Sequence, residues 1–457
     1  MTLIKSISGI RGTIGGETGD NLTPLDVVKF ASAYGMWLKS RTTGTLKVVL
    51  GRDARISGAM VQNLVQCSLQ ALGIDVVDLG LSTTPTVEIA VPMENANGGI
   101  ILTASHNPKQ WNALKLLNEK GEFVSAEDGA LILDIAEKEA FDFAQVDDLG
   151  ASEKKNYLQI HIDAVLALST VDVTLVKERG FKVVVDAVNS TGGIYLPALL
   201  RQMGVEVVEL YCEPNGHFPH NPEPLPEHLH DLCSMVIKTK ADLGFVVDPD
   251  VDRLAIVSED GSLFGEEYTL VAVADHVLKT KKGNTVSNLS STRALRDVSE
   301  AHGFTYYASA VGEVNVVAKM KEVDAPIGGE GNGGIIYPEL HYGRDSLVGV
   351  ALFLTHLAQS KMTCSALRKT YKDYFMSKQK IQLTPEINVD AILLTMADKY
   401  KAEDVDCTDG VKINFDEEWV HLRKSNTEPI IRVYTESVSA EKANSLAQRF
   451  MKEISEL

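Results

Sequence analysis

The sequence has few cysteines and no long apolar segment. Its five cysteines are an odd number, lie far apart and form no C-x-x-C pair, which argues against a disulfide framework and against a thiolate zinc site. The longest unbroken apolar run, residues 347–354, is much shorter than the roughly 20 residues that span a bilayer. The N-terminal segment lacks the apolar core of a secretion signal. We therefore expect a cytoplasmic protein with no membrane partner.

Positive charge is also scarce. The chain has 44 Lys and Arg against 62 Asp and Glu, a net charge of −18. Nucleic acids and anionic membranes attract proteins with a positive field, so we expect no nucleic-acid partner, and an anionic ligand would need local basic groups. At 457 residues, 44% hydrophobic and 23% charged, the chain has the composition of a globular protein and is too long for a single core.

Three segments of the chain share one pattern of strand, turn, helix, glycine and strand. The glycines are Gly73, Gly204 and Gly303, each at a site typical of the left-handed residue that ends a helix. In the first copy an apolar stripe predicts a helix face made of Met60, Val61, Leu64, Val65, Leu69 and Leu72. The pattern predicts three similar α/β domains with parallel or mixed sheets.

The last part of the chain has a different pattern. Residues 410–437 read as two strands around a polar turn, and a closing helix starts at Ala440, which indicates a smaller C-terminal α+β domain. We place the four domains at residues 1–150, 151–257, 258–370 and 371–457, with the acidic segment 141–153 as the first linker.

A serine and a histidine follow a buried strand in the first domain. Ser105 and His106 come directly after the apolar residues 99–102, at the strand end where α/β sheets present ligands. The segment lacks the G-x-S-x-G pattern of an acyl-hydrolase elbow, and neighbouring side chains usually point apart, so His106 is poorly placed as the base for Ser105. A simple capping turn is the alternative for this loop.

Three aspartates, Asp248, Asp250 and Asp252, alternate between two apolar runs in the second domain. Such close carboxylates repel unless a cation holds them, and oxygen ligands suit Mg²⁺ or Ca²⁺. An EF-hand is disfavoured because Arg253 takes the sixth position, where that loop needs glycine. A phosphatase of the haloacid-dehalogenase type is the competing hypothesis, with Asp248 as nucleophile and Asp250 as acid/base, but it leaves Ser105 and Asp252 unexplained.

Several basic turns could bind an anion. Arg11 lies in a glycine-rich turn, and Arg52 and Arg55 follow a strand, where a structural pair of arginine and aspartate is the alternative. Near the C-terminus one short segment carries five phosphate-compatible side chains: Arg423, Ser425, Asn426, Thr427 and Arg432. Guanidinium groups match phosphate oxygens in pairs, and small polar turns expose backbone N–H groups.

A glycine-rich segment in the third domain carries two polar side chains, Glu330 and Asn332. Glycines allow a ligand to approach the backbone closely, and an acid with an amide suits the hydroxyl groups of a sugar. A flexible loop is the alternative, and the segment does not meet the context of a dinucleotide-binding motif.

Taken together and in this order, the motifs TASHNP (103–108), DPDVDR (248–253), GGEGNGG (328–334) and RKSNTEP (423–429) resemble those of the α-D-phosphohexomutase superfamily, which includes phosphoglucomutases, phosphomannomutases and phosphoglucosamine mutases. The resemblance spans the whole chain. It implies an isomerase that moves a phosphoryl group between the 1- and 6-positions of a hexose through a phosphoserine and a bisphosphorylated sugar, in a cleft lined by four domains.

The resemblance also assigns roles to residues. It implies that Ser105 carries the phosphoryl group and completes the coordination of one Mg²⁺ with Asp248, Asp250 and Asp252. Arg11 and Lys115 would lie beside the phosphoserine, with Lys115 as general base and His106 assisting. Further roles follow for residues that bind the substrate: Arg253 beside the metal loop, Glu330 and Asn332 on the sugar hydroxyls, and Arg423, Ser425, Asn426, Thr427 and Arg432 on the non-reacting phosphate.

Two loops depart from the pattern that is common in this superfamily. Many members read Glu-x-Ser-Gly-His, where this chain has residues 330–334 with glycines at the last two positions, and residues 309–316 lack a histidine that some members carry. Both loops bear on the choice of sugar. General resemblance favours glucosamine phosphate, with glucose and mannose phosphates as alternatives. A monomer or a dimer is expected, and a binding protein without turnover is a non-enzyme alternative that the joint presence of Ser105, Lys115 and the aspartates disfavours.

Overall fold

The structure is a computed structural model that describes residues 2–6, 9–382, 388–424 and 430–456. The first elements in chain order are β1 (Ile4–Ser6), β2 (Gly9–Thr13), α1 (Pro24–Arg41), β3 (Leu46–Arg52), α2 (Gly58–Ala71), β4 (Ile74–Leu81), α3 (Thr84–Met93), β5 (Gly98–Leu102), β6 (Trp111–Leu117), α4 (Ala126–Lys138) and β7 (Ser152–Lys154). The seven strands form one mixed sheet in the order β1-β2-β6-β5-β3-β4-β7. Strand β3 is parallel to β4 and β5, whereas β6 is antiparallel to β5 and β2.

The second group of elements follows the same plan. It comprises α5 (Leu158–Leu166), α6 (Val173–Arg179), β8 (Lys182–Asp186), α7 (Gly192–Gln202), β9 (Glu206–Leu210), α8 (His230–Thr239), β10 (Leu243–Val247) and β11 (Leu254–Ser258). Its sheet has the order β11-β10-β8-β9. The hairpin of β10 and β11 is antiparallel and β8 is parallel to β10, so this sheet is also mixed.

The third group contains α9 (Glu266–Leu278), β12 (Thr285–Asn288), α10 (Ala294–Ala301), β13 (Tyr306–Ser309), α11 (Glu313–Glu322), β14 (Ile327–Glu330), β15 (Gly334–Ile336), α12 (Ser346–Ser360) and α13 (Cys364–Arg368). Strand β12 lies between β13 and β14 and is parallel to both. Every position of β14 is buried, so the glycine-rich segment begins as a core strand and not as a flexible loop.

The final group consists of β16 (Phe375–Gln382), α14 (Val389–Lys399), β17 (Asp404–Asp406), β18 (Val411–Asn414), β19 (Trp419–Lys424), β20 (Ile430–Ser437) and α15 (Ala440–Ser455). The five strands form an antiparallel sheet in the order β16-β20-β19-β18-β17. The prediction of two strands over residues 410–437 was wrong, because a turn closed by the Phe415 N–H on the Glu418 carbonyl (2.8 Å) divides the first of them into β18 and β19.

The three α/β domains with mixed sheets and the smaller C-terminal domain agree with the fold class that the sequence predicts. The helix-ending glycines are confirmed as left-handed, with φ of +76° at Gly73, +77° at Gly204 and +78° at Gly303. The apolar stripe is confirmed at most of its positions, but Met60 is 41% exposed, so including that residue in the stripe was wrong. The structure does not test the predicted domain boundaries, which stay a prediction.

The chain divides into two compact units by its internal contacts. Unit 1 comprises Met1–Thr269 and Asn332–Ser365, and unit 2 comprises Leu270–Gly331 and Ala366–Leu457. Each unit is described by itself below. Within the part of the chain that the structure describes, no helix has both the length and the apolar character needed to cross a membrane.

Candidate active site

The loop that carries Ser105 connects β5 to β6 in unit 1. Ser105 has φ of +47°, a left-handed backbone that non-glycine residues rarely adopt and that is concentrated at functional sites. The guanidinium of Arg55 donates to three carbonyl oxygens of this loop, those of Ser105 (2.5 Å), Asn107 (2.7 Å) and Pro108 (2.7 Å), and to that of Trp111 at the start of β6 (3.0 Å). One buried side chain therefore fixes the conformation of the loop.

Arg55 is itself fixed by a buried aspartate. Its Nε lies 2.9 Å from Asp53 Oδ2, and both side chains are fully buried. The Thr103 hydroxyl donates to the same carboxylate oxygen (2.7 Å) and accepts the Ser105 N–H (2.9 Å). Of the two interpretations of this arginine, the structural pair is confirmed.

The three aspartates lie on the turn of the β10–β11 hairpin. The Asp248 carboxylate accepts the N–H groups of Asp252 and Arg253 through Oδ1, each at 3.2 Å. Val251, in the middle of the turn, has φ of +65°, which is costly for a β-branched residue and marks a backbone that its surroundings fix. The Ser105 hydroxyl donates to Asp248 Oδ2 at 2.8 Å. The structure thus brings the serine loop and the aspartate loop into direct contact within unit 1.

The three carboxylates fit a divalent cation. One oxygen from each of Asp248, Asp250 and Asp252 lies within 4.8 Å of the others, and all three residues are fully buried. Among the described residues, Asp250 Oδ1 and Asp252 Oδ1 have no hydrogen-bond partner. Burial and the neighbouring carboxylates Asp252 and Asp250 raise the pKa of Asp248 well above its ordinary value. Carboxylate oxygens are the ligands that Mg²⁺ and Ca²⁺ prefer, and a bound cation would relieve the repulsion between the three buried groups.

Lys115 and Arg11 share one face of the first sheet. Arg11 on β2 is the cross-strand partner of Ala113 on β6, and Lys115 is two residues further along β6, so both side chains point to the same side. Lys115 Nζ donates to Asp250 Oδ2 (2.7 Å) and lies 3.5 Å from Asp252 Oδ2. Burial lowers the pKa of Lys115, but Asp250 and Asp252 raise it further, so the net shift is upward. The amine carries its proton in this arrangement, and its assignment as a base stays a prediction.

His106 and Arg253 lie on either side of a carboxylate that the sequence did not indicate. Glu223 Oε1 is 3.9 Å from His106 Nε2 and 3.5 Å from Arg253 Nη1. Burial, Arg253 and Arg11 together lower the pKa of His106 to about 2, although Asp252 opposes them. The histidine is therefore uncharged at neutral pH.

Two further residues of unit 1 hold the aspartate turn. The Thr84 hydroxyl donates to Asp250 Oδ2 (2.5 Å) from the first turn of α3, and Arg344 Nη2 donates to Asp252 Oδ2 (2.6 Å). Thr84 and Arg344 are distant in sequence from the aspartates and follow no recognisable spacing, which explains why the sequence did not reveal them.

The side chain of Asn332, a predicted ligand of the sugar hydroxyls, bonds to its own loop. Its Oδ1 accepts the Gly334 N–H at 3.2 Å.

In unit 2, Glu330 ends strand β14 with its side chain buried. Its Oε1 accepts the Asn288 amide (2.9 Å) and the Gly312 N–H (3.2 Å). The carboxylate therefore connects the end of β12 with the loop before α11, the second of the two loops that depart from the superfamily pattern.

Arg423 and Arg432 of unit 2 face each other across β19 and β20. Lys380 on β16 is the partner of Arg432 on the other side, so three basic residues form a row on one face of the sheet. Like charges directly opposite one another are unfavourable unless an anion or an acid compensates them. Asp409 Oδ2 lies 2.7 Å from Arg423 Nε and accepts the Val311 N–H at 2.9 Å. The other predicted phosphate ligands, Ser425, Asn426 and Thr427, lie outside the described residues.

Models of the phosphoglucomutase/phosphomannomutase family match the chain in four consecutive segments. Alpha/beta/alpha domains I, II and III match residues 3–143, 159–261 and 265–374, and the C-terminal domain matches residues 380–453. The chain therefore belongs to the phosphoglucomutase/phosphomannomutase family of α-D-phosphohexomutases, and it is an isomerase of that class.

Similar proteins align with almost the full length of this chain. A phosphoglucomutase/phosphomannomutase of Thermococcus kodakarensis is 35% identical over 97% of this chain and 98% of that protein. A probable phosphoglucosamine mutase of Methanopyrus kandleri is 32% identical over 97% of this chain and 96% of that protein. The names divide between the two branches, so they leave the sugar open.

Solved structures show the same architecture. A crystal structure of a phosphoglucomutase/phosphomannomutase family protein from Burkholderia thailandensis superposes with a TM-score of 0.86 at 26% identity, over 99% of this chain and 98% of that one. An N-acetylphosphoglucosamine mutase of Aspergillus fumigatus, solved with GlcNAc-6P and magnesium, matches with a TM-score of 0.55 at 14% identity, over 89% of this chain and 82% of that one. The second likeness shows the fold alone.

Proposed function

We propose that this phosphohexomutase acts on glucosamine phosphate, interconverting its 6- and 1-phosphates. The observation that supports the mechanism best is the 2.8 Å hydrogen bond from the Ser105 hydroxyl to Asp248. In this bond the serine hydroxyl contacts a cluster of three buried carboxylates that fits a divalent cation, which supports Ser105 as the phosphoryl carrier. Such a cation would neutralise the charge of the phosphoryl group when bound.

In the proposed reaction the phosphoryl group starts on Ser105 Oγ. The P–Oγ bond breaks while a new bond forms between phosphorus and the free 1- or 6-oxygen of the sugar. Lys115, which Asp250 and Asp252 keep charged at rest, first releases its own proton to solvent and then accepts the proton of that sugar hydroxyl on Nζ. The leaving Ser105 Oγ takes up one proton from solvent and becomes a hydroxyl. The resulting bisphosphate turns end for end and returns its other phosphoryl group to Ser105. The serine is phosphorylated again, so no external phosphate donor is consumed.

The remaining residues bind and orient the substrate in this proposal. Arg11 and uncharged His106 contact the transferred phosphoryl group, and Arg253 supports the aspartate turn. Glu330 and Asn332 accept sugar hydroxyls, and the carboxylate of Glu330 also suits the ammonium group of an amino sugar. Arg423 and Arg432, with Ser425, Asn426 and Thr427, bind the non-reacting phosphate. Anchoring that phosphate lets the sugar react in two orientations.

Glucose or mannose phosphate is the second candidate substrate. The 35% identity to the phosphoglucomutase/phosphomannomutase of Thermococcus kodakarensis favours it, whereas the name of the Methanopyrus kandleri relative favours glucosamine phosphate. The decisive experiment is a coupled isomerisation assay, run in parallel on the 6-phosphates of glucosamine, glucose and mannose with a catalytic amount of the matching bisphosphate. We expect kcat/KM to be highest for glucosamine phosphate, and a higher value for either other sugar would overturn that choice.

The phosphoryl carrier is tested separately by intact mass and peptide mapping of the purified protein. We expect partial phosphorylation on Ser105, and none in a Ser105→Ala variant. Phosphate on Asp248 would instead support the dehalogenase-type phosphatase. Isomerisation that survives unchanged in Ser105→Ala would refute the proposed route.

A further inference from the structure

The space beside Gly334 is occupied by Arg344. A Cβ atom built at Gly334 would lie 2.3 Å from Cδ and 3.1 Å from Cγ of Arg344. Real Cβ atoms essentially never approach another carbon to 2.3 Å, so a side chain at Gly334 would force Arg344 to move. Gly334 is also the last position of the glycine-rich segment, where the sequence departs from Glu-x-Ser-Gly-His. Because Gly334 has no side chain, the aliphatic part of the Arg344 side chain can lie against its backbone.

From this position the arginine reaches the aspartate turn. Its Nη2 donates to Asp252 Oδ2 at 2.6 Å, and its side chain is only 10% exposed, whereas that of Asp252 is fully buried. A charge-assisted hydrogen bond between a guanidinium and a carboxylate is directional and is about twice as strong as a neutral one. The contact therefore restricts the rotation of the Asp252 carboxylate.

The backbone that carries Arg344 is also fixed. Asp345 donates its N–H to the Ile335 carbonyl (2.8 Å) and caps α12 by accepting the Leu347 N–H (2.8 Å). The next residue, Ser346, donates its N–H to the Val251 carbonyl in the aspartate turn at 3.1 Å. Two successive parts of this segment thus contact the turn, one through a side chain and one through the backbone.

We propose that Arg344 is a positioning residue for the cation site, and that Gly334 serves it by leaving room. Asp252 Oδ2 is held between Arg344 and Lys115, whereas Oδ1 has no hydrogen-bond partner among the described residues. One oxygen of Asp252 lies within 4.8 Å of an oxygen of Asp248 and of Asp250, so fixing this carboxylate fixes one of the three candidate ligands. The proposal rests on the proposed divalent cation at the three aspartates. Partners of metal-binding carboxylates typically change metal affinity by about 10- to 100-fold when they are removed.

A positioning role differs from a purely electrostatic one. Arg344→Lys keeps the positive charge but replaces the planar donor fork by a single ammonium on a shorter side chain. Arg344→Met removes both the charge and the donors. If the charge alone mattered, Arg344→Met would bind the cation more tightly, because a nearby positive charge opposes cation binding, and Arg344→Lys would bind as the wild type does.

The experiment measures cation binding directly, without substrate. Mn²⁺ is titrated into the full-length protein and free Mn²⁺ is followed by electron paramagnetic resonance, with Mg²⁺ as competitor. We expect Arg344→Lys and Arg344→Met each to weaken Mn²⁺ binding by about tenfold or more. Arg201→Met is the matched control, because Arg201 pairs with Glu209 at the surface of the same unit; it should bind Mn²⁺ as the wild type does.

A double-mutant cycle with Gly334→Ala keeps the test informative if one variant folds poorly. Gly334→Ala should weaken Mn²⁺ binding in the wild-type background, because its Cβ displaces Arg344. In the Arg344→Met background it should add little, because no guanidinium remains to be displaced from Asp252. Additive effects, wild-type affinity in both Arg344 variants, or tighter binding by Arg344→Met would overturn the inference.

Asp252→Asn distinguishes this inference from the proposed cation site. If the wild type binds no Mn²⁺, or if Asp252→Asn binds it equally well, the cation site itself fails. If the wild type binds Mn²⁺, Asp252→Asn does not, and the Arg344 variants behave as the wild type, only the role of Arg344 is refuted.

Discussion

At the scale of single residues, the geometry of the serine loop depends on Arg55 more than on any side chain within the loop. The guanidinium donates to four carbonyl oxygens of that loop and of the first residue of β6, and it pairs with buried Asp53. These contacts therefore compensate for the unfavourable backbone conformation of Ser105. A motif that resembled an anion site is instead the support of the proposed phosphoryl carrier.

Arg55→Ala should therefore be strongly destabilising. Removing one partner of a buried ion pair costs about 3–5 kcal/mol, and here the loop carbonyls also lose their donor. Arg55→Lys should retain part of the stability but phosphorylate Ser105 more slowly, because one ammonium cannot satisfy five acceptors. Urea unfolding and the rate of phosphate incorporation measure the two effects. Arg41→Lys, which changes a half-exposed ion pair, is the control, and equal behaviour of the two lysine variants would contradict the role of Arg55.

At the scale of elements, Asp409 connects the row of basic residues in unit 2 to the loop before α11. Its carboxylate pairs with Arg423 and accepts the Val311 N–H, and its carbonyl lies 2.6 Å from His421 Nε2. Burial lowers the pKa of His421 to about 4, so the ring is neutral. It must carry its proton on Nε2 to donate to the carbonyl, and Nδ1 then accepts from the Ser290 hydroxyl at 2.9 Å.

We predict that Arg423→Ala raises KM for the sugar phosphate and leaves the phosphorylation of Ser105 intact. A hydrogen bond to a charged group contributes about 1.5–3 kcal/mol, which corresponds to roughly a 10- to 100-fold change in KM. Asp409→Asn should raise KM by less, because the arginine is kept but held less firmly. Steady-state kinetics measures both. Asp398→Asn, a surface change in the same domain, should have no effect, and an unchanged KM in Arg423→Ala would remove this arginine from the phosphate site.

A second link between elements joins α3 to the segment before α12 through His341. Its Nδ1 lies 3.3 Å from Glu88 Oε2, and its Nε2 lies 3.3 Å from Asp345 Oδ2, the same oxygen that His161 approaches at 2.9 Å. Burial lowers the pKa of His341, but the hydrogen bonds to Asp345 and Glu88 outweigh it and raise the pKa to about 10.

This raised pKa predicts a pH-dependent stability. A histidine whose pKa is higher in the folded state stabilises the protein fully below its ordinary value of 6.5, and the contribution is lost as pH rises to about 10. The melting temperature of the wild type should exceed that of His341→Gln most near pH 6, and the difference should shrink steadily towards pH 10. His217→Gln, at an exposed position, should show no such trend. A difference that is constant with pH would contradict the assignment of the proton to His341.

Local patterns in the sequence predicted elements well and contacts between distant elements poorly. The glycines that end helices and the alternation of apolar and acidic residues in 243–257 depend on neighbours in the chain, so Gly73 and the aspartate turn could be predicted. Arg344, Thr84 and Glu223 act across about 30 to 170 residues of sequence, and no periodicity reports such contacts. Lys380 was missed for the same reason, because its place in the basic row depends on the register of β16 with β20.

At the scale of the whole molecule, a net charge of −18 coexists with local groups of basic side chains that suit a doubly charged substrate. In unit 1, Arg11, Arg253 and Arg344 all act on His106, and in unit 2 the row of Lys380, Arg432 and Arg423 lies on one sheet. The overall negative charge disfavours the binding of anions over most of the surface. The local groups of basic side chains attract anions at the sites proposed for the substrate. Each unit holds a different half of the proposed chemistry, since the carboxylate cluster lies in unit 1 and the basic row in unit 2.

This division predicts that Mg²⁺ stabilises one unit selectively. A ligand that binds only the folded state raises the free energy of unfolding by about 2.7 kcal/mol at a concentration of 100 times its Kd. Amide exchange that requires an opening in which the ion is released should therefore be about 100-fold slower. Hydrogen exchange followed by mass spectrometry should therefore show slower exchange with Mg²⁺ in β10, β11 and the serine loop of unit 1, and little change in β18 and β19 of unit 2. Asp252→Asn should abolish the difference. Equal protection of both units, or protection that persists in Asp252→Asn, would show that Mg²⁺ acts elsewhere than at the three aspartates.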